Sequence, residues 1–260
     1  MTQNIALITG ATGSIGFSIS EKLASDGFDL ILVGRSADSL EMAQKKIVEK
    51  DANRTVMIDC CDVRQPRDVR TLFESLTARE IMLSVLVNCA GISGGGYTAE
   101  ISDELWDDVI ATNLNGCFYV TRDALKFTRI GSGGRIINIA STGGKQGVIH
   151  AVPYSASKHG VVGMTKALGL ELARNGSGIT VNAVCPGFVE SDMAERVREH
   201  YASIWGTSVS EARRRIEDRV PLGRYIEPDE VAAMVSYLVS AGAAGVTAQA
   251  LNVCGGLGNY

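Results

Sequence analysis

Short apolar runs rich in β-branched residues alternate with longer stretches of helical period from Ile5 almost to the C-terminus. No other feature constrains the fold as tightly. Strands that are apolar throughout are covered on both faces, and the helices between them supply the cover. The pattern predicts strands over 5–9, 29–34, 55–59, 85–88, 135–139, 180–184 and 250–253. Helices are predicted over 15–25, 39–50, 65–79, 102–129, 154–174, 194–219 and 228–240, where apolar residues recur at three- and four-residue steps. The class is α/β, with about seven strands in a parallel sheet. No proline-rich linker, charge block or internal repeat divides the chain, so 1–260 is expected to be a single domain. A closed βα barrel has the same rhythm, and rhythm alone does not exclude it.

Charge narrows the function classes. The chain carries 29 acidic and 25 basic side chains, a net charge of −4. Its densest basic cluster, Arg213 to Arg215, is hemmed in by Glu211, Glu217 and Asp218, as on a solvated helix face. A nucleic acid partner is not expected from such a distribution. The apolar start Ile5-Ala6-Leu7-Ile8 runs straight into Gly10, and no stretch approaches the ~20 apolar residues of a membrane span. The six cysteines lack CxxC spacing and a histidine cluster, so they read as buried thiols of a reducing cytoplasm, with no metal expected.

After the first strand the run Thr9-Gly10-Ala11-Thr12-Gly13-Ser14-Ile15-Gly16 turns into a helix. Glycines there let the backbone turn tightly beside a pyrophosphate, and the free N–H groups of the helix start point at the anion. Close packing alone also produces such turns. A doubly wound sheet places its phosphate-binding turn at this point. The second strand ends without the carboxylate typical of NAD binders, and Arg35 stands in its place. A guanidinium can grip a 2′-phosphate with two hydrogen bonds, so NADPH/NADP+ is expected, unless Arg35 is an ordinary surface arginine. Asp62 and Val63 follow the third strand, and Asn88, Ala90 and Gly91 the fourth, at the edge where such sheets bind ligands.

Tyr154 and Lys158 stand four apart at the head of a helix, after the helix-start signal Pro153, so the phenol and the ammonium share one face. A phenol is a poor proton donor near neutrality until a fixed positive charge favours its anion. Lys158 supplies that charge. Such a pair suits carbonyl reduction, in which negative charge grows on oxygen and a positioned acid must quench it. Ser141, just past the fifth strand, can hold the same oxygen.

Thr9-Gly10 through Gly16, Asn88-x-Ala90-Gly91, Asn113, Ser141, Tyr154-x-x-x-Lys158 and Pro186-Gly187 occur in the order found in the short-chain dehydrogenase/reductase family, which the whole chain resembles. The resemblance implies a Rossmann fold. It implies that Tyr154 donates the proton, that Ser141 orients the carbonyl, that Lys158 makes the phenol more acidic and holds the nicotinamide ribose, and that Asn113 anchors a water relay. Pro186, Gly187, Val189 and Ser191 are expected beside the nicotinamide. Ser14 replaces a usual glycine and is expected to cap the helix. Cys89 replaces an asparagine, and Ser191 stands where threonine is common.

The runs from Ser141 to Gly147, Pro153 to Gly160, Val184 to Glu190, Glu199 to Tyr201 and Ala248 to Tyr260 are similar to the ketoreductases of type II, aromatic polyketide synthases. This closer resemblance implies NADPH-dependent reduction of a carbonyl, C9 by expectation, of a poly-β-ketone bound to an acyl carrier protein, by a homotetramer. The alternatives are a 3-oxoacyl-[acyl-carrier-protein] reductase or another NADP-dependent secondary-alcohol dehydrogenase. A sensor that binds NADP without turnover has no need of a phenol beside an ammonium. Similar ketoreductases wall the substrate pocket with the equivalents of Gly94, Gly95 and Gly96 on one side and Gln146, Val148 and His150 on the other. On sequence alone the glycines read equally well as a plain flexible loop. The stretch 192–224 interrupts the sheet pattern and is expected to be a substrate lid, its Met193, Tyr201 and Trp205 serving as core or as ligand contacts. Arg35, Arg64 and Arg224 are candidate contacts for an acidic carrier protein.

Overall fold

The computed structural model describes residues 4–127 and 130–259. Seven parallel strands, β1 Ile5–Thr9, β2 Asp29–Gly34, β3 Val56–Cys60, β4 Leu83–Asn88, β5 Ile130–Ile139, β6 Thr180–Pro186 and β7 Ala250–Val253, form one open sheet in the order β3-β2-β1-β4-β5-β6-β7. With β3 and β7 at its edges, the sheet is not a closed barrel. The helices are α1 Ser14–Ser25, α2 Ala37–Lys50, α3 Pro66–Ala78, α4 Asp103–Ile110, α5 Gly116–Lys126, α6 Val152–Arg174, α7 Asp192–Trp205, α8 Val209–Glu217 and α9 Pro228–Val239.

Because side chains alternate across a strand, each central strand feeds two cores. Ala6, Ile8, Leu30 and Leu32 pack with α1, α2 and α9 on one face, while Ile5, Leu7, Ile31 and Val33 pack with α3 and α5 on the other. That two-sided cover is why β1 and β2 are apolar along almost their whole length. Among the described residues no helix is long and apolar enough to cross a membrane.

Most expected boundaries hold to within two residues, and the structure corrects three elements by more than that. β5 begins at Ile130 rather than at 135, with a register irregularity against β4 between Leu83 and Val85. The helix expected over 102–129 is broken at a π turn, Ala111–Asn115, between α4 and α5, and its expected end at 129 lies outside the described residues, as does Tyr260. The helix expected over 194–219 is two, α7 closed by Gly206 in the left-handed conformation (φ 59°) and α8 opened by Ser208, whose hydroxyl accepts from Glu211 N.

Helix α6 carries glycines of opposite kinds. A Cβ on Gly169 would lie 2.8 Å from the Cα of Ala248, whereas Gly163 is exposed with nothing within 4 Å. Gly163→Ala should therefore stabilise the fold by about 1 kcal/mol through helix propensity. Gly169→Ala should destabilise it by about 2 kcal/mol, because two backbones must separate. Urea unfolding midpoints of the two variants should move in opposite directions.

Candidate active site

Strand β1 meets β4 through Thr9, whose hydroxyl accepts from Cys89 N at 3.1 Å and Ala90 N at 3.2 Å. Next to it Gly10 adopts φ 65°, and a Cβ there would lie 2.7 Å from Ala90 Cα. At the start of α1 a Cβ on Gly16 would lie only 2.2 Å from Gly10 O, so this turn admits glycine alone. Ser14 does not cap the helix as expected. The N-cap is Gly13, which has no side chain to offer, and Ser14 is the first helical residue. The leading N–H groups of α1 are thus left without a side-chain cap beside a cleft of about 650 Å³ lined by Gly10, Thr12, Gly13, Ser14, Ile15 and Gly16.

The cleft continues past Arg35, Asp62, Val63, Ala90 and Gly91 to Pro186, Gly187, Val189 and Ser191. Ser191 caps α7 by accepting from Ala194 N and donates to Val189 O, each at 3.1 Å, which leaves one lone pair for a ligand donor. Two residues expected at the cofactor do not line the cleft. Thr9 is buried and spends its hydroxyl on the backbone after β4. Asn88 is buried as well, with Nδ2 donating to Thr121 Oγ1 and Asn138 Oδ1, both at 2.9 Å. Both hold the sheet edge in shape.

The arginines separate into free and committed. Among the described residues no carboxylate lies within ion-pair distance of Arg35, which is exposed at the cleft. Arg64 instead pairs with Asp62 at 2.7 Å and Asp108 at 2.9 Å, and this hydrogen-bonded guanidinium holds the Asp62 carboxyl below its usual range. Arg224 pairs with Glu230 at 2.7 Å. Arg64 and Arg224 are therefore not free cations for a carrier protein.

At the centre of the cleft, α6 brings Tyr154 and Lys158 up against the end of β5. Lys158 is buried, its Nζ donates to Ile139 O at 2.8 Å, and it sits 5.8 Å from the centroid of the Tyr154 ring. Ser141 Oγ accepts from Gly143 N at 3.0 Å, so its proton remains free to point into the cleft. A Cβ on Gly143 would lie 3.4 Å from both Ser141 Oγ and Tyr154 Cε1, so hydroxyl and ring are near neighbours, and both residues line the cleft. Asn113 is close behind but does not line the cleft. Its Oδ1 accepts from Ile92 N at 2.8 Å, and its Nδ2 donates to Ile92 O and Ser157 Oγ, both at 3.0 Å. Both hydrogens of the Asn113 amide are therefore spent on protein partners.

On the substrate side the glycines are not a flexible loop. A Cβ on Gly94 would lie 2.4 Å from Val109 Cγ2, and one on Gly95 would lie 2.1 Å from His150 O. Gly94 and Gly95 line the cleft, whereas Gly96 does not and donates its N–H to His150 O at 2.7 Å. Gln146, Val148 and His150 also line the cleft, His150 directly against the glycines, at φ 59° and with its ring 4.7 Å from that of Tyr97, edge to face. Tyr201 turns out to be both core and cleft wall. It is buried, stacks on Trp205 at 4.7 Å, and donates from its phenol to Ile149 O at 3.3 Å. Burial pushes that phenol up, keeping it a donor.

Sequence reasoning missed several wall residues. Val197, four residues after Met193 and four before Tyr201 on α7, also lines the cleft, so a periodicity search of the lid would have found it. Leu257, brought back from the C-terminal turn, carries no local signal. Among the described residues there is no group of three or more His, Cys, Asp or Glu able to hold a metal ion.

The family described as short chain dehydrogenase matches residues 4–202. A ketoacyl reductase of the granaticin polyketide synthase of Streptomyces violaceoruber is 59% identical over 260 residues, covering 98% of this chain and 93% of the relative. A ketoacyl reductase of Streptomyces coelicolor is 57% identical over 263 residues, covering 98% and 97%. The solved structure of an actinorhodin polyketide ketoreductase variant with NADPH superposes with a TM-score of 0.92 at 55% identity, covering 99% of this chain and 98% of that one.

Burial pushes the thiols of Cys61, Cys89 and Cys117 up to about 12, and the Lys158 charge near Cys89 and Cys117 does not offset it. Cys60 is exposed. Iodoacetamide at pH 8 should label Cys60 in the native protein within minutes and leave the other three unmodified until denaturant is added. Mass spectrometry of tryptic peptides reads the outcome, and fast labelling of Cys89 would show the cleft floor to be more open than described.

Proposed function

The chain belongs to the short-chain dehydrogenase family, and from that premise we propose that it is the NADPH-dependent ketoreductase of an aromatic polyketide synthase, reducing a carbonyl of a carrier-bound poly-β-ketone to a secondary alcohol. One observation carries the reading. Tyr154, Lys158 and Ser141 line one cleft, the same cleft that holds the glycine turn and Arg35, with Lys158 Nζ 5.8 Å from the centroid of the Tyr154 ring.

The residues present fit the cofactor. Gly10 and Gly16 let the turn close tightly on itself and on Ala90, Gly13 and the uncapped start of α1 border the cleft, and Arg35 at its wall has no carboxylate partner among the described residues. Bound there, NADPH supplies the hydride that reduces the carbonyl carbon. Ser141 donates a hydrogen bond to the carbonyl oxygen and fixes its direction. Tyr154 gives that oxygen a proton as negative charge develops on it, and the Lys158 ammonium stabilises the phenolate left behind. Ile139 O holds Lys158 on that side of the ring. Val189 and Ser191 border the place of the nicotinamide, and α7 with Met193 and Tyr201 excludes water from it.

The glycines at 94 and 95 leave backbone rather than side chains on one wall, which suits a long, flat polyketone. We infer C9 as the reduced carbon and a cytoplasmic homotetramer as the working form from the resemblance to type II ketoreductases. The exposed aromatics Trp106 on α4 and Phe118 on α5 are apolar surface available to such an assembly, and six unpaired thiols suit a reducing compartment.

Purified protein should oxidise NADPH with a bicyclic ketone such as trans-1-decalone. Tyr154→Phe should lower kcat by about 10³-fold while leaving NADPH fluorescence titration unchanged, because a phenol lost from the chemical step removes the acid and not the binding site. A Tyr154→Phe variant that keeps most of its rate rules out the proton-donor role. Arg35→Ala should raise the KM for NADPH by about 30-fold and change the KM for NADH little, since only NADPH carries the 2′-phosphate that a charged hydrogen bond would hold.

A further inference from the structure

Ser157 lies between Tyr154 and Lys158 on α6, fully buried, and both sides of its hydroxyl are used. It donates to Tyr154 O at 2.8 Å and accepts from Asn113 Nδ2 at 3.0 Å. The first bond stays within one helical turn, as any helix serine can do. The second crosses to the π turn Ala111–Asn115, and π turns inside helices are frequently found at functional sites. One turn on along the same face of α6, Gly160 admits Leu114, for a Cβ there would lie 2.8 Å from Leu114 Cδ2. The π turn is thus held against α6 at two consecutive residues, Asn113 by a hydrogen bond and Leu114 by close packing.

Asn113 passes this constraint on. It grips both backbone groups of Ile92, the residue after Gly91 in the cleft wall. A Cβ on Gly91 would lie 3.2 Å from Asn113 Oδ1 and 3.5 Å from Lys158 Nζ, so the wall, the amide and the ammonium converge within van der Waals range. Ser157 is the only link among the described residues that joins the Asn113 amide to the Tyr154–Lys158 turn by a hydrogen bond.

We propose that Ser157 is a positioning residue, which sets the Tyr154–Lys158 turn in register with the π turn and, through Asn113, fixes the Gly91–Ile92 wall against the Lys158 ammonium. The proposal rests on the reading of Tyr154 as proton donor. Loss of the strut lets the Tyr154–Lys158 turn and the Gly91–Ile92 wall shift against each other, and a misplacement of about 1 Å between the proton donor and the surface that positions its acceptor is enough to slow the reaction strongly.

Ser157→Ala, and Ser157→Cys as a bulkier control with a weak donor and acceptor, should lower kcat about tenfold with the KM for ketone and for NADPH within about twofold of the parent. The amide of Ile92 should exchange hydrogen about tenfold faster in both variants, while Val87 in the adjacent strand should not change. In an Asn113→Ala background the Ser157→Ala change should have almost no further effect on kcat, since the two residues act as one unit. Unchanged kcat and unchanged Ile92 exchange in folded variants would overturn the proposal, and so would kcat losses that multiply in the double variant. If the parent itself fails to reduce the ketone, the proton-donor reading has failed, and the exchange at Ile92 still decides the strut.

Discussion

The rest of the cleft depends on the junction of β1 with β4. The strand order reverses there, β2 and β3 lying on one side of β1 and β4 to β7 on the other, so the connections leave in opposite directions and a crevice opens between them. Thr9 closes the junction with two hydrogen bonds to the backbone after β4, and Gly10 allows the turn to rest on Ala90 without a side chain between them. If these chains stood one methyl apart, the helix start of α1 and the Gly91–Ile92 wall would no longer face the same space. The phosphate side and the reaction side of the cleft are therefore set by a single contact between backbones.

Behind that junction the site is braced by buried polar side chains instead of by apolar packing alone. Asn88 bonds Asn138, and Asn138 bonds Thr165 at 2.8 Å, which ties β4, β5 and α6 together under the cleft. Asn113 and Ser157 tie the π turn to α6 in the same way. Such links are directional, and in a low dielectric a missing partner is expensive, so they specify one arrangement where apolar packing would tolerate several.

This bracing explains what the sequence could and could not convey. The strands at 5–9 and 29–34 were legible to the residue because two-sided burial demands nearly uninterrupted apolar runs. The first half of β5 was not, since Gly131, Gly133 and Gly134 look like a turn until β4 is seen beside them. The π turn was hidden because one inserted residue leaves the apolar period on either side intact. Tyr154, Lys158, Ser141 and the glycine turn were readable, as their chemistry requires those residue types at those spacings. Thr9, Asn88 and Asn113 were read as ligands or as a relay, and the structure makes their side chains struts. Both uses call for the same small polar residue at a strand end or helix bend, and only the partners tell them apart.

The strand order also has a bearing on how the chain can assemble. Once β4 has docked beside β1, the strands β5, β6 and β7 each join the sheet at its one growing edge, in the order in which they leave the ribosome. None has to insert between strands already paired, so synthesis and sheet growth can run in the same direction. The cleft is finished differently. Leu257 reaches its wall from the turn after β7, where Cys254 Sγ accepts from Gly258 N at 3.3 Å and Asn252 Nδ2 donates to Gly258 O at 2.8 Å. A nascent chain can therefore hold most of its sheet well before Leu257 closes its part of the cleft wall.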